Sequence, residues 1–295
     1  MGYERKRGKL SALNEFLRGK SKENFSFVVG DLPKLANIRY VITLDADTTL
    51  PRDTAKELIA TMIHPLNTPK FDQSRRVVRQ GYAILQPRVT IHPRDKASTL
   101  FATIFSDNFG IDPYTKAVSD VYQDLFGEGS FIGKGIYDLD AFQKSLEARF
   151  PENRVLSHDL IESGFARSGL VSDAQLIEEY PLTYACDAKR RHRWVRGDWQ
   201  IGSWMLPIAP DHEGQTRLNP LSWVNRWKIF DNVRRSMTPA ATVALLFCCW
   251  FLTPQMAAGV SFSALAYSVF PQFLRFLTPT EPDARAFRLI GIGNR

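Results

Sequence analysis

The chain has 295 residues, 44% hydrophobic and 23% charged, with a formal net charge of +7 and a pI near 9.3. That mixture is ordinary for a globular protein and leaves room for one large or two small domains, while the positive excess points to an anionic partner: nucleic acid, a phosphorylated substrate or a lipid surface. Cysteines occur only at 186, 248 and 249, which excludes a disulfide framework or a zinc spacing, and the basic run Met1 to Lys9 lacks the apolar core of a signal peptide.

In chain order, Lys9 to Leu17 has helical spacing, with Leu10, Leu13, Phe16 and Leu17 on one side. Phe25 to Val29 is a short strand candidate ended by Gly30 and Asp31. Tyr40 to Pro51 (YVITLDADTTLP) is a nearly unbroken apolar run that stops at two carboxylates, Asp45 and Asp47. Such a run predicts a strand buried on both faces, and ligands gather beyond the carboxyl ends of strands in open α/β sheets. In an extended segment residues i and i+2 point the same way, so both carboxylates can face one hard cation, Mg²⁺ or Mn²⁺. The alternative is a polar turn closing a strand.

A helix is expected over Asp53 to Ile63, a surface loop over Asn67 to Arg79, and a strand over Gly81 to Val89, where Pro87 suggests an edge position or an early end. Ser98 to Phe109 reads as helical. In Leu125 to Tyr137 (LFGEGSFIGKGIY), Gly127, Gly129, Gly133 and Gly135 thread among large apolar residues, a pattern that lets backbone approach a ligand, or alternatively a glycine-bent strand and turn. Ser157 to Arg167 predicts a helix with Ser157 as N-cap, Asp159 in its first turn and Gly169 just past its end. Tyr184 to Leu206 carries Arg190, Arg191, His192, Arg193, Trp194, Arg196, Trp199 and Trp204. This stripe suits either nucleic-acid binding or a diphosphate clamp with a sugar-stacking tryptophan.

Leu221 to Met237 interleaves Trp223, Trp227 and Phe230 with Arg226, Arg234 and Arg235, as in a helix lying in a membrane interface. The runs Thr238 to Thr253 and Met256 to Phe273 contain no charge. They predict two transmembrane helices in a hairpin bent at Pro254, or a single long, kinked helix as runner-up. Basic residues at both outer ends put the catalytic part in the cytoplasm. The expected organisation is a catalytic domain over 1–206, a linker and interface helix over 207–237, the hairpin over 238–277 and a tail over 278–295.

The order Asp-x-Asp after a buried strand, a glycine-rich loop, an Asp opening a helix, then Arg-Trp resembles the processive, inverting membrane glycosyltransferases of GT-A fold. Their later signatures usually read Thr-Glu-Asp and Gln-x-x-Arg-Trp, where this chain has Ser157-His158-Asp159 and Arg190-Arg191-His192-Arg193-Trp194. The runs GYERKRGKL, RYVITLDADT, GIDPYTKAVSDVYQDLFGEGSFIGKGIYD, PENRVLSHDLIE and RRHRWVRGDWQ resemble, more narrowly, the glycosyltransferase region of bacterial cyclic β-1,2-glucan synthases. The resemblance implies an α/β, Rossmann-like, mostly parallel sheet at the cytoplasmic face of the inner membrane, in a multi-pass protein. It implies UDP-glucose as donor and a β-1,2-glucan as acceptor. Asp45 and Asp47 would hold the diphosphate through the metal, and Asp159 would be the general base. Lys9, Asn14 and Arg193 would approach the donor, and Trp194, Gly129 and Ser130 would line the acceptor site.

Only 44 residues precede Asp45, so the first β-α unit of a GT-A domain is expected to be missing and the chain to be a fragment of a larger synthase. An inactive membrane-anchored remnant is one alternative. Another is a phosphatase of the haloacid-dehalogenase type, with Asp45 as nucleophile and Asp47 as acid/base, though no later acidic pair supports it. Membrane attachment weighs against a nucleic-acid partner.

Overall fold

The computed structural model describes residues 4–20, 24–92, 98–106, 120–155, 157–251 and 253–277. Its first part runs α1 (Arg5–Leu17), β1 (Tyr40–Thr43), β2 (Thr48–Thr49), α2 (Thr54–Ile63), β3 (Lys70–Asp72), β4 (Val77–Gln80), β5 (Ile84–Ile91), α3 (Leu100–Phe105) and α4 (Val121–Phe126). There follow β6 (Gly135–Asp138), α5 (Leu139–Leu146), α6 (Asp159–Ala166), β7 (Ser168–Glu178), α7 (Tyr184–Gln200), β8 (Ile208–Pro210), β9 (Thr216–Leu218), α8 (Trp223–Trp250) and α9 (Pro254–Leu277). The chain divides into two units, Met1–Asp231 and Asn232–Arg295.

The first unit is α/β, built on a five-stranded sheet in the order β1-β6-β5-β7-β2. Side-chain alternation along the strands creates its two apolar faces. Leu85 and Ile136 pack with Leu58 and Met62 of α2, whereas their neighbours Ile84 and Tyr137 pack on the other face with Leu17 of α1 and Phe142 of α5. A third cluster joins Ile161 and Phe165 of α6 to Phe150, Trp204 and Ile229. Burying each of these large side chains contributes about 1.5–3 kcal/mol.

The sheet is mixed, not mostly parallel. β6 lies antiparallel between β1 and β5, β2 is antiparallel to β7, and β5 with β7 is the parallel pairing. Through β6, however, β1 shares its direction with β5 and β7, so the carboxyl ends of these three strands reach one rim. β5 is interior rather than an edge. The sheet tolerates Pro87 because the β5–β7 register shifts between Pro87 and Arg88, relieving the need for a ladder donor there.

Other expectations are corrected locally. Phe25–Val29 forms no strand, and Phe27 and Val29 are exposed. The expected loop over 67–79 contains the β3–β4 hairpin, whose turn is organised by Asp72 accepting from the Ser74 and Arg75 amides. The N-cap of α6 is His158, not Ser157, and makes no side-chain capping bond; Gly169 lies inside β7. Residues 107–109 of the expected 98–109 helix, and the tail 278–295, lie outside the described residues.

The two expected membrane spans are not met: among the described residues no helix is long and apolar enough to cross a membrane. α8 is long, but Arg226, Lys228, Asp231, Arg234 and Arg235 charge its first half, and Pro239 follows. α9 has 24 residues, yet serines, glutamines, Gly259 and Tyr267 dilute its apolar ones.

Candidate active site

Beyond Thr43 the chain leaves β1 and turns at once, with the Thr48 amide donating to the Asp45 carbonyl at 3.1 Å. Asp45 and Asp47 therefore sit on a turn, and the alternation that would aim both one way does not apply. Asp45 is drawn to the rim, where its Oδ1 accepts from Lys6 Nζ at 2.5 Å and its Oδ2 lies 3.2 Å from Lys134 Nζ. Burial pushes this carboxyl up, but the two ammonium groups outweigh burial and hold it below the usual carboxylate range. Asp47 is exposed.

Lys134 is itself buried and donates to Glu178 Oε1 at 2.7 Å, at the end of β7. Burial favours its neutral form, but Glu178 and Asp45 together raise its pKa. Lys6 also donates to the Gly133 carbonyl at 2.7 Å. Gly133 has φ +88°, and a Cβ there would come within 2.9 Å of Asp159 Oδ1. The run Gly133–Lys134 therefore joins the Asp45 cluster to the Asp159 carboxylate at the start of α6. Two acids 114 positions apart in sequence meet at one rim.

The Asp159 side chain keeps 30% of its surface exposed. Burial raises its pKa, His158 and Lys6 pull it down, and Glu162 and Asp45 push it up. Behind it His158 Nδ1 stands 3.0 Å from Glu162 Oε2 and 3.4 Å from Asp159 Oδ1. Burial disfavours the imidazolium, but the two carboxylates outweigh burial and push His158 up to about 9. His158, Asp159 and Glu162 offer ligand atoms within 4.8 Å of one another, the spacing of a metal cage. Arg7 also faces the ring, so the imidazole is held between two carboxylates as an ion-pair group, and a metal would have to displace its proton.

The other expected residues are placed as follows. Lys9 is exposed on α1. Asn14 is turned inward, where its Oδ1 accepts from the fully buried Tyr137 hydroxyl at 2.8 Å. Asn14→Ala is expected to cost about 1–3 kcal/mol, because it strands that hydroxyl without an acceptor; a denaturation midpoint equal to the wild type would refute this. Gly129 and Ser130 are also interior, with the Gly129 amide on the Ser168 carbonyl at 2.8 Å and its carbonyl on Lys228 Nζ at 2.7 Å. Arg193 and Trp194 are exposed on α7, and Arg190 stacks over the Trp194 ring at 4.8 Å. A Cβ on Gly197 would lie 2.2 Å from Ser157 Cβ, so α7 crosses directly beside the segment leading to Asp159. Arg193 lies one turn before Gly197 and shares its face.

Sequence reasoning missed Lys6, Lys134, Glu162 and Glu178. Lys6 stands four residues before Leu10, on the inward stripe of α1, and a lysine there must find a carboxylate. Lys134 was equally visible as a lysine between Gly133 and Gly135 in an apolar run.

No protein-family model matches the chain. It is 44% identical over 272 residues to the cyclic beta-(1,2)-glucan synthase NdvB of Rhizobium meliloti (strain 1021), a match covering 92% of this chain and 9% of that protein. The chain is related to the cyclic β-1,2-glucan synthases. It spans about a tenth of the length of that relative, and the identity runs through nearly all of its own length.

Proposed function

We propose that this chain carries the glucosyl-transfer chemistry of β-1,2-glucan synthesis, moving glucose from UDP-glucose to a growing glucan with inversion, as part of a larger synthase. What supports this above all is the meeting of the Asp45 and Asp159 carboxylates at the rim reached by the carboxyl ends of β1, β5 and β7. Asp159 is the general base: partly exposed, it takes the proton from the acceptor 2-hydroxyl as that oxygen attacks the anomeric carbon. A single displacement from the face opposite the departing UDP inverts the configuration. Lys6 and Lys134 place positive charge where the diphosphate would lie. Arg193, on the α7 face that passes Ser157, is assigned to the donor, and Trp194 offers its exposed ring to the acceptor sugar.

The donor set also suits a hard cation. Asp47 is open to solvent and Asp45 is held ionised, so these two are the residues that would hold Mg²⁺ or Mn²⁺. Such an ion, when bound, offsets charge on the leaving diphosphate. We also assign the first unit a GT-A architecture, and to the exposed Trp223, Trp227 and Phe230 of α8, beside Arg226, contact with the cytoplasmic face of the inner-membrane bilayer.

The test is incubation of the purified chain with UDP-glucose labelled in the sugar and a β-1,2-glucan primer, with UDP release and product linkage as readouts. Labelled 1,2-linked product is expected, with Asp47→Ala weakening donor binding. Wild-type chain no more active than Asp159→Asn would leave an inert relative in place of a transferase.

A further inference from the structure

We propose that His158 and Glu162 form a positioning pair for the Asp159 carboxylate, a charged couple behind the base that holds it facing the acceptor hydroxyl. This rests on Asp159 being the general base. The side chains of His158 and Glu162 are almost wholly buried, at 7% and 2% exposure, whereas that of Asp159 is 30% exposed. Asp159 Oδ1, on the His158 side, is itself buried, so substrate can reach Asp159 only through the exposed remainder of its side chain, and can reach neither of the other two. Their spacing places the imidazole between two carboxylates, 3.0 Å from Glu162 and 3.4 Å from Asp159.

Neither His158 Nδ1 nor Glu162 Oε2 makes a well-aligned hydrogen bond, so what links them is charge. A buried glutamate without a cation is costly, and so is a buried imidazolium without an anion. Together they are tolerated, and the ring then has one remaining acid to attract, the base itself. Both residues belong to the same helical turn: Glu162 is four residues after His158, and its amide donates to the His158 carbonyl at 2.8 Å. Backbone geometry therefore sets the pair's spacing before any substrate arrives, as preorganisation requires.

Other charges face the group. Arg7 of α1 acts on His158, Lys6 of α1 and Asp45 act on Asp159, and Glu162 also faces the Tyr137 hydroxyl of β6. Arg7 opposes protonation of the ring, but less strongly than Glu162 and Asp159 favour it. The imidazolium is therefore the form present at neutral pH.

The test has two arms on the full chain. In the first, the imidazoles are labelled with ¹⁵N and His158 is identified by its loss in His158→Gln. His158 is expected to stay protonated until about pH 9 in the wild type. In Glu162→Gln it should move back toward the ordinary value of about 6.5. This arm requires no turnover, and His158→Gln enters it only to assign the signal. In the second arm, glucose transfer is followed against pH. His158→Gln removes the positive charge but leaves Glu162, so Asp159 takes up its proton at higher pH and the acid limb moves up. Glu162→Gln lets His158 lose its proton earlier, so the alkaline limb moves down. With the base no longer held, kcat of His158→Gln should fall about 100-fold with KM changed by less than about threefold. Limbs moving oppositely in the two variants are not what simple loss of packing would give. A wild-type His158 titrating near its ordinary value, or variant profiles superimposing on the wild type, would overturn the pairing. Asp159→Asn with wild-type turnover would instead remove the base assignment itself, whatever the imidazole does.

Discussion

Asp159→Asn should lower turnover with UDP-glucose by about 10²- to 10⁴-fold while leaving donor binding nearly intact. Asparagine keeps the size of the side chain, so the contact with Gly133 survives and no cavity opens. What it loses is the ability to accept the acceptor's proton. The neighbourhood makes this loss specific, because Asp45 carries its own lysines and cannot replace the missing base from across Gly133. The measurement is single-turnover transfer at saturating donor, with UDP affinity followed separately. A loss confined to affinity would mean that Asp159 holds the donor and does not act on the acceptor; no loss at all would end the transferase account.

How far the sequence reveals this site depends on what kind of signal each residue gives. Asp45 is legible because an apolar run that stops at a carboxylate is a local signal, although β1 is not buried on both faces as expected: it is a half-buried edge strand that ends at Thr43. Asp159 is legible because an acid in the first turn of a helix is also local. The partnership between them is not local: it passes through Lys6 and Gly133, and nothing near Asp45 names either. How Asp47 is aimed relative to Asp45 is hidden for a related reason. The two-residue period holds only while the chain stays extended, and β1 stops at Thr43.

The sheet shows the same division. β1 and β5 follow from apolar runs, but strand direction is decided by how β6 inserts between them, and four buried residues, Gly135 to Asp138, carry no mark of orientation. β7 is not legible because Ser168, Gly169, Ser172 and Asp173 interrupt its apolar pattern; the register shifts there, and pairing with β5 resumes at Gln175. Asn14 reads from the linear order as a donor contact. Only the packed α1 shows its oxygen accepting from Tyr137 on the sheet.

Gly197→Ala is the substitution expected to damage both stability and chemistry. In an exposed helix, exchanging glycine for alanine stabilises by up to about 1 kcal/mol. Here the new Cβ would meet Ser157 Cβ at 2.2 Å and the Ser157 backbone at 3.2 Å, so a shortened rotamer cannot relieve the clash and α7 must move. Overpacking of this kind costs about 1–3 kcal/mol, more than the propensity gain returns. Ser157 lies two residues before Asp159, so the displacement falls on the base and on the α7 turn carrying Arg193 and Trp194. Gly259→Ala in α9 supplies the control, since its added methyl meets nothing within 4 Å and only the propensity gain remains. The pair should therefore shift denaturation midpoints in opposite directions, and Gly197→Ala alone should lose transfer activity beyond its loss of folded protein. Equal, stabilising shifts in both would mean that α7 does not rest on Ser157, and the route that brings Arg193 and Trp194 toward the transfer site would go with it.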